Sequence, residues 1–319
     1  MENALEKLCV IIDGPPIVVP WLERFYEATE IEMALAMEQE WKAVAFFKDR
    51  FSMDTEAVER SYVRGVLEKD GNSNYKVADF HTRYDIWATF EGFKDIPHDI
   101  GQQLNQWEFE NYCRNHETEL EKVRKTQKPD DVSGSPRYLL LDEALETLTH
   151  VDKIYLWPCN CRSMIKGCNK PVYTCLRFNN NRNIGFEISR EKAREIVLDA
   201  NKKGLMQCGE FAREDNGKLS GAICNCCSDC CFPHQLSRKK NAEKIWPFSR
   251  YVALYQADLC NLCGICSRRC PFGAIAFQKK TKTEAACLSL DTDLCRGCGL
   301  CATGCPTGAL LMESLQKAQ

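Results

Sequence analysis

The C-terminal part of the chain contains a cysteine motif that occurs twice. Within residues 258–309 the sequence reads DLCNLCGICSRRCPFGA and then, after a short interval, DLCRGCGLCATGCPTGA. Both copies have the spacing C-x2-C-x2-C-x3-C-P, and equivalent positions lie 35 residues apart. An internal repeat of fixed thiol spacing predicts two equivalent structural units, each built around bound metal.

This spacing is typical of the [4Fe-4S] sites of bacterial-type ferredoxins. Three thiolates of one C-x2-C-x2-C loop can reach three iron corners of a cubane, because each two-residue gap turns the chain and keeps the sulfurs close. The fourth cysteine lies further along the chain and ligates the other cluster in this motif. The predicted ligand sets are Cys260, Cys263, Cys266 and Cys305 for one cluster, and Cys295, Cys298, Cys301 and Cys270 for the other.

A pair of zinc sites is the alternative for this segment, because C-x2-C is also a zinc-binding spacing. The third cysteine of each copy, the Cys-Pro pairs and the duplication all favour iron-sulfur clusters over zinc.

The 21 cysteines indicate a metalloprotein, because a chain of 319 residues without a recognisable secretion signal is expected to keep its thiols reduced. We therefore predict a cytoplasmic protein of an anaerobic host. The sequence contains no apolar run long enough for a transmembrane helix. Four cysteines stand outside any cluster of thiols in the sequence: Cys9, Cys113, Cys208 and Cys287.

Charge is distributed unevenly along the chain. Residues 1–130 contain 16 basic and 26 acidic side chains, whereas residues 131–319 contain 26 basic and 19 acidic ones. An acidic first region and a basic, cysteine-rich remainder suggest separate domains with different partners.

The first 80 residues predict a helix, a short second helix, a third helix and a β-hairpin, which is the order of a winged helix. The third helix is predicted over TEAVERSYVRGVLEKD, with Asp54 as its N-cap and Gly71 at its end. DNA binding requires basic side chains against phosphate, and this region is strongly acidic, so we expect a protein-docking domain and no nucleic-acid partner.

Residues 114–136 are highly charged and then rich in Asp, Ser, Gly and Pro, which is typical of a helix end followed by a linker. We therefore predict an α+β multidomain chain. It would comprise a helical, winged-helix-like docking domain in 1–130, a cysteine-rich α/β metal-binding domain in 137–249, and a bacterial-type two-[4Fe-4S] ferredoxin fold in 250–319.

The middle region has two cysteine-rich segments separated by a predicted helix, which Ser189 caps and Gly204 ends. A short buried strand over VDKIYLWP precedes the first segment, and a helix is predicted from Tyr138 to Thr149. The two segments are expected to meet in space. Their nine cysteines are the candidate metal ligands: Cys159, Cys161, Cys168, Cys175, Cys224, Cys226, Cys227, Cys230 and Cys231.

Nine thiols could hold two further cubane clusters, one unusual cluster and a zinc ion, or one or two structural zinc ions. Thiolate-only sites beside a ferredoxin favour further iron-sulfur clusters. His234 could be a ligand or a hydrogen-bond donor to one, although a lone histidine after Phe-Pro is more often neither.

Residues 137–319 resemble a family of anaerobe proteins described as 4Fe-4S ferredoxin iron-sulfur binding domain proteins. The resemblance depends on P-C-x-C-R at Pro158–Arg162, C…P…C-L from Cys168 to Leu176, Gly204-Leu205, and I-C-N-C-C from Ile223, followed by the ferredoxin repeat. The chain departs from the family at Ser228 and Asp229, where a Gly-Cys-Cys-Cys continuation is expected. The resemblance implies electron transfer.

Our first hypothesis for function is therefore an electron carrier, or the electron-transfer subunit of an oxidoreductase, that exchanges low-potential electrons with a redox partner. Basic residues near the ferredoxin clusters would favour their reduced state and attract an acidic partner. These residues are Arg268, Arg269, Lys279, Lys280, Lys282 and Arg296.

The alternative is a reductase or reductive activator with a substrate-accessible cluster in the middle domain, for which the sequence identifies no catalytic residue. Arg162, Arg177, Arg182 and the asparagine run at 179–181 could line an anionic pocket there, although a polar loop is the better interpretation of that run. A redox-sensing DNA-binding regulator is the weakest hypothesis. The chain lacks the G-x-G-x-x-G and P-loop motifs, so neither NAD(P)H nor ATP is indicated as a bound partner.

Overall fold

The computed structural model describes residues 2–91, 96–129, 132, 134–213, 218–280 and 285–315. Lys282 lies outside these residues, and so do residues 214–217, where Asp215, Asn216 and Gly217 predict a turn. The chain has a mixed α+β fold and divides into two units by its internal contacts. The N-terminal unit comprises Met1–Asn115, Ser163–Ile165 and Asn180–Ile184. The C-terminal unit comprises His116–Arg162, Lys166–Asn179 and Gly185–Gln319. The division into three domains stays a prediction.

The N-terminal unit is mainly helical. Its helices are α1 (Glu2–Ile11), α2 (Leu22–Phe25), α3 (Ala28–Met37), α4 (Val44–Phe51), α5 (Thr55–Val63), α6 (Phe80–Ile86) and α7 (His98–Asn115). A 3-10 helix covers Pro16–Trp21 and a π-helix covers Trp87–Glu91. The strands β1 (Leu67–Lys69) and β2 (Tyr75–Val77) form an antiparallel pair.

Helix α5 begins where the sequence predicted, because the Asp54 carboxylate accepts the Ala57 N–H at 2.8 Å. It ends at Val63, well before the predicted end at Gly71. The reason is Gly65, whose φ of +77° turns the chain into β1, so that Leu67 is buried in a strand and not on a helix.

The interior of the N-terminal unit is organised by Arg83, which is fully buried. Its guanidinium donates to the carbonyl oxygens of Phe25 at 2.6 Å and Arg64 at 2.8 Å, and forms a two-pronged ion pair with Glu91. Because each nitrogen has a partner, the buried charge is compensated and connects three separate parts of the unit.

Arg182 completes the same unit from a distant part of the sequence. Its guanidinium donates to the carbonyl oxygens of Tyr62 and Leu67, the latter at 2.8 Å, and lies 4.5 Å from the centre of the Tyr62 ring. The Arg182 side chain therefore attaches its loop to α5 and β1. It does not contribute to the anionic pocket that the sequence suggested.

The C-terminal unit contains seven helices and ten strands among its described residues. The helices are α8 (Glu117–Thr126), α9 (Leu141–Thr147), α10 (Asn160–Ile165, whose end belongs to the N-terminal unit), α11 (Arg190–Lys202), α12 (Phe232–Lys239), α13 (Ile265–Arg269) and α14 (Leu300–Thr303). Two 3-10 helices cover Leu148–His150 and Ala257–Leu259. The strands are β3 (Arg137–Leu139), β4 (Ile154–Pro158), β5 (Tyr173–Arg177), β6 (Phe186–Ile188), β7 (Met206–Arg213), β8 (Leu219–Cys226), β9 (Tyr251–Tyr255), β10 (Ile275–Gln278), β11 (Cys287–Leu290) and β12 (Leu310–Ser314).

Six of these strands form one antiparallel sheet in the order β3-β7-β8-β5-β4-β6. One face of the sheet packs on α9 and α11 through an apolar core. The core residues from the strands are Leu139, Ile154, Leu176 and Ile223, and those from the helices include Leu145 and Val197. The sequence predicted a strand over VDKIYLWP, residues 151–158, and the structure has a strand in its last five residues, Ile154–Pro158. The Ser189 cap of α11 is confirmed.

The helix predicted from Tyr138 to Thr149 is wrong at its N-terminal end. Arg137–Leu139 is the edge strand β3, paired with β7, and the helix begins only at Leu141. Glu143 explains this start, because its carboxylate accepts the N–H of Leu140 at 2.7 Å and thereby caps the helix.

The C-terminal segment with the repeated cysteine motif forms two antiparallel strand pairs and two short helices. Strand β9 pairs with β12 and β10 pairs with β11, all antiparallel. Helices α13 and α14 follow Gly264 and Gly299, the glycines after the second cysteine of each copy. No helix in the described ranges combines the length and apolarity needed to cross a membrane.

The N-terminal unit contains a half-buried ion pair between His81 and Glu108, with His81 Nδ1 2.7 Å from Glu108 Oε1. Burial opposes a charge on His81, but the hydrogen bond and the charges of Glu108, Asp85 and Asp79 outweigh it and raise the pKa of His81 to about 9. Burial also disfavours the charged form of Glu108 and therefore raises the pKa of its carboxyl group. The charged histidine therefore stabilises the fold below about pH 6.5, its unfolded pKa, and this stabilisation is lost as the pH rises through 9.

We predict that the substitution Glu108→Gln lowers the pKa of His81 from about 9, because burial is then opposed only by the weaker effects of the Asp85 and Asp79 charges. The measurement is an NMR titration of the histidine ring protons in both proteins. An unchanged His81 titration would show that the ion pair does not form.

Candidate metal centres

The eight cysteines of the repeated motif line two cavities. Cavity I is lined by Cys260, Cys263, Cys266 and Cys305. Cavity II is lined by Cys270, Cys295, Cys298 and Cys301. Each cavity thus gathers the four thiols that the sequence assigned to one cluster, three from one copy of the motif and the fourth from the other. Ligation itself stays a prediction.

The glycine after the second cysteine explains how each copy curves around its cavity. Gly264 and Gly299 have φ values of +67° and +75°, in the left-handed region that favours glycine. This turn starts a short helix, so the third cysteine, Cys266 or Cys301, lies within its first turns and is buried at the cavity. The cysteine spacing that both copies share is therefore required by this backbone turn as well as by the placement of the ligands.

Backbone amides point at thiols in both cavities. The N–H of Leu262 lies 3.4 Å from Cys260 Sγ, and the N–H of Ala253 lies 3.4 Å from Cys295 Sγ. Such N–H···S contacts stabilise negative charge on a thiolate and raise the reduction potential of a cluster that it ligates.

The two cavities differ in their surroundings. Cys263 of cavity I is exposed to solvent. Cavity II lies against the six-stranded sheet, because Cys298, Phe272 and Leu300 pack on Tyr138 and on the thiols of β7 and β8. Burial raises the pKa of Cys298 well above its ordinary value and that of Cys301 to about 12. Since the thiolate is the ligand, metal binding at cavity II must release protons.

The second face of the sheet carries thiols where the first face carries the apolar core. Side chains alternate between faces along a strand, so Cys224 and Cys226 of β8 point to the same side. The register pairs Cys224 with Cys208 of β7, and Cys175 of β5 lies on its other side, with 3.9 Å between Cys175 Sγ and Cys224 Sγ. This face, which we call the thiol face, contains Cys175, Cys208, Cys224 and Cys226.

The two cysteine-rich segments converge at the thiol face, as the sequence predicted. Cys159 caps α10 and Cys231 caps α12, so both lie at helix starts beside the sheet. The N–H of Phe232 lies 3.5 Å from Cys161 Sγ, which joins the two segments. Cys159 contacts Cys161 and approaches Cys224.

Three candidate ligands form a close group at one side of the thiol face. The thiols of Cys168, Cys227 and Cys230 lie within 4.8 Å of one another, with 3.7 Å between Cys168 Sγ and Cys230 Sγ. Burial raises the pKa of Cys227, but the N–H groups of Cys230 and Asp229 outweigh it, so the net shift is downwards. Cys168 is partly exposed in the loop between α10 and β5.

A second close group was missed from the sequence. Cys208 Sγ, Cys226 Sγ and a ring nitrogen of His234 lie within 4.8 Å of one another, and all three residues are buried. Cys208 stands alone in the sequence but faces Cys224 across the hairpin. The alternation of Cys224 and Cys226, together with the predicted turn at 214–217, could have revealed this pairing.

The arginines of the middle region are used locally. Arg162 is buried and donates to the carbonyl oxygen of Asn225 at 2.9 Å and to the Thr174 hydroxyl. The Arg177 guanidinium lies 4.1 Å from the centre of the Trp157 ring. These contacts do not form the predicted anionic pocket.

Glu210 lies on the thiol face one alternate position beyond Cys208. Burial and the neighbouring Cys224 raise its pKa to about 8, against the opposing charge of Arg177. Its carboxyl group is therefore mostly protonated at neutral pH and adds little negative charge to the thiols.

Comparison with known proteins supports the interpretation of the repeated motif. Residues 259–309 match the family model of the 4Fe-4S dicluster domain. This domain implies two [4Fe-4S] clusters and iron-sulfur electron transfer. A search of curated proteins found no match to the chain.

We predict that alanine substitutions divide the eight cysteines into the two sets that line the cavities. Cys263→Ala and Cys305→Ala should alter one cluster, whereas Cys298→Ala and Cys270→Ala should alter the other, because each fourth cysteine serves the opposite copy of the motif. An EPR-monitored redox titration checks this, since each variant should remove or shift one of two one-electron steps.

The matched control is Cys287→Ala, an exposed thiol on β11 that is not among the residues lining either cavity and whose Sγ lies 3.6 Å from Gln278 Oε1. It should leave both redox steps unchanged. If Cys270→Ala altered the same step as Cys263→Ala, the crossed assignment would be incorrect.

Proposed function

We propose that the chain is an iron-sulfur electron-transfer protein that exchanges low-potential electrons with a redox partner in anaerobic metabolism. The observation that carries this proposal is the pair of thiol-lined cavities, of which one reaches solvent and the other lies against the thiol face. The donor sets and cavity linings fit [4Fe-4S] clusters, which supply reversible one-electron transfer when bound.

The surroundings of cavity I favour it as the side where a partner approaches. Leu259, just before Cys260, is half exposed, and so are Leu254 and Leu311, which are cross-strand partners on β9 and β12. The next residues along these strands, Tyr255 and Leu310, line cavity I. Exposed apolar side chains beside a solvent-accessible thiol are suited to a small, transient redox interface.

The basic residues near the cavities have different roles in this proposal. Arg268, Lys279 and Lys280 are exposed and available to an acidic partner. Arg269 instead donates to the carbonyl oxygens of Leu300 at 2.7 Å and Asn201 at 2.9 Å. It therefore ties α13 to α14 and to the end of α11.

We assign a further centre to Cys159, Cys161, Cys175 and Cys224. These thiols form two close pairs, Cys159 with Cys161 and Cys175 with Cys224. Among the described residues, the four thiols do not form a group as tight as the one around Cys168 or the one around His234. The Nε of Arg162 is buried nearby without a hydrogen-bond partner in the described part of the chain, which fits a site where a cluster sulfide accepts that hydrogen bond. The thiol set, the orphaned donor and the wider family resemblance of 137–319 support a further iron-sulfur cluster here.

For the N-terminal unit we propose a winged-helix-like docking role without nucleic-acid binding. Helices α3 to α5 followed by β1 and β2 have the order of such a fold. The basic side chains on and after α5 are already paired: Arg60 with Glu56, Arg64 with Glu30 and Glu91, and Lys69 with Glu59. Phosphate binding would have to break these pairs.

We predict that the anaerobically purified protein takes up at least two electrons per chain in reversible one-electron steps at low potential and returns them to a viologen dye. Stopped-flow oxidation by the dye should slow in the Cys263→Ala variant by about tenfold, because the solvent-accessible cluster is altered. The Cys287→Ala variant should react like the wild type. Irreversible or absent reduction would exclude an electron carrier.

A reductase is the second candidate, and one observation favours it. The group Cys168, Cys227 and Cys230 supplies three thiolates to a metal, and no fourth ligand joins them among the described residues. Three protein ligands leave one coordination position for a small molecule, as in catalytic metal sites. The partly exposed Cys168 would give that molecule access.

This second candidate predicts that cyanide, a small exogenous ligand, changes the optical or EPR spectrum of the purified protein in a saturable titration. The change should vanish in the Cys168→Ala variant and persist in Cys287→Ala. A spectrum that does not respond to cyanide would leave the electron carrier as the only supported function.

A further inference from the structure

The close group around His234 is built from two structural elements. Cys208 and Cys226 come from the neighbouring strands β7 and β8, whereas Cys231 and His234 come from the start of α12. Cys231 contacts Cys226, approaches Cys208 and accepts the backbone N–H of His234. Cys208, Cys226 and His234 thus form one tight group, and Cys231, three residues before His234, lies beside it in contact with Cys226.

The size of this group fits a single ion and not a cubane. A tetrahedral ion with metal–sulfur bonds of about 2.3 Å places its ligand atoms about 3.8 Å apart. The ligand atoms of Cys208, Cys226 and His234 lie within 4.8 Å of one another. A cubane holds its thiolates further apart because iron and sulfide atoms lie between them, and none of the eight ferredoxin cysteines belongs to such a close group among the described residues.

His234 has the environment of a metal ligand. Its side chain is 4% exposed, and its Nε2 has no hydrogen-bond partner in the described part of the chain. Its Nδ1 lies 3.3 Å from the Tyr138 hydroxyl. Ligating histidines typically use one ring nitrogen for the metal and the other for a hydrogen bond that fixes the ring.

We propose that Cys208, Cys226, Cys231 and His234 bind one tetrahedral zinc ion. Three thiolates and one imidazole form a closed ligand set of the structural zinc type, with no position left for a substrate. Tyr138, Met206 and Leu300 cover the group, which keeps it from solvent. The ion joins the β7–β8 hairpin to α12 directly beneath cavity II, and Tyr138 is a positioning residue that orients His234.

This site goes beyond the proposed electron transfer and does not depend on it. Zinc has no redox chemistry in proteins, so the ion would hold cavity II against the thiol face without exchanging electrons. The sequence offered no Cys-x2-Cys pair among these four residues, because Cys208 lies on β7 and the other three ligands lie at the end of β8 or after it.

The test is zinc analysis and zinc K-edge X-ray absorption on the full chain, purified anaerobically with its clusters. We expect about one zinc per chain, with three sulfurs at about 2.3 Å and one nitrogen at about 2.0 Å. This measurement on the wild type needs no variant and remains decisive if a substitution prevents folding. Absence of zinc, or zinc bound by sulfur alone, would overturn the proposal.

Variants then test the assigned residues. His234→Ala and Cys208→Ala should reduce zinc from about one to about zero per chain, whereas His234→Cys should retain it with four sulfur ligands. His150→Ala, an exposed histidine of the same unit, is the matched control and should keep the wild-type zinc content. If His234→Ala kept its zinc while the control did too, another residue would be the ligand.

Electron–nuclear double resonance on protein with ¹⁵N-labelled histidine tests the remaining alternative, in which His234 ligates an iron-sulfur cluster. Coupling of an imidazole nitrogen to a reduced iron-sulfur cluster would show that His234 ligates iron, and would overturn the zinc assignment. The redox steps of the ferredoxin clusters are measured on the same samples, so loss of zinc and loss of electron transfer can be distinguished.

Discussion

The alternation of side chains in the six-stranded sheet is the constraint on which the metal-binding region depends. One face supplies Leu176 and Ile223 to an apolar core with α9 and α11, and the opposite face presents Cys175, Cys208 and Cys224 in register. A shift of one residue in the β7–β8 pairing would place Cys208 in the apolar core and scatter the ligands. The apolar core therefore determines the register of the strands, and the register determines which thiols lie side by side on the opposite face.

Thiol separation then distinguishes the kinds of centre that the chain can hold. The ferredoxin cysteines are spread around cavities because Gly264 and Gly299 turn the backbone away between the second and third ligands. The thiols of Cys168 and Cys230 instead lie 3.7 Å apart, close to the separation expected across a single tetrahedral ion. The same ligand chemistry thus supports clusters in one part of the unit and single ions in another.

Sequence reasoning was most successful where the signal was local. The repeated cysteine motif, the Asp54 and Ser189 caps and the strand at 154–158 each depend on a few neighbouring residues, and the structure has all of them. It failed at the C-terminal end of α5 and at β3, where the surrounding residues follow a helical pattern. The turn at Gly65 ends α5, and the cap formed by Glu143 starts the helix only after β3.

The ligands that it missed are set by pairing between distant strands. Cys208 and Cys224 lie about equally far in sequence from residues 214–217, where the sequence predicts a turn, so that predicted turn and the alternation of β8 indicate their pairing. A search for local cysteine spacing cannot find Cys208, because no other cysteine lies near it in the sequence. His234 was named from the sequence as a possible ligand, and only the folded chain brings its ring to Cys208 and Cys226.

The remaining requirement of the thiol face is charge balance, since several buried thiolates repel one another in a low-dielectric interior. The chain limits negative charge there in three ways. Arg162 places a buried cation beside Cys159 and Cys227, and Arg177 does the same beside Cys175. Glu210 holds its proton near neutral pH because its pKa is raised to about 8. Burial also lowers the pKa of His234 to about 3, so its ring is neutral and available as a ligand. Hydrogen bonds between neighbouring thiols, together with burial, raise the pKa values of Cys161, Cys175 and Cys226, so metal binding at these thiols must release protons. Metal binding and the folding of this face are therefore coupled.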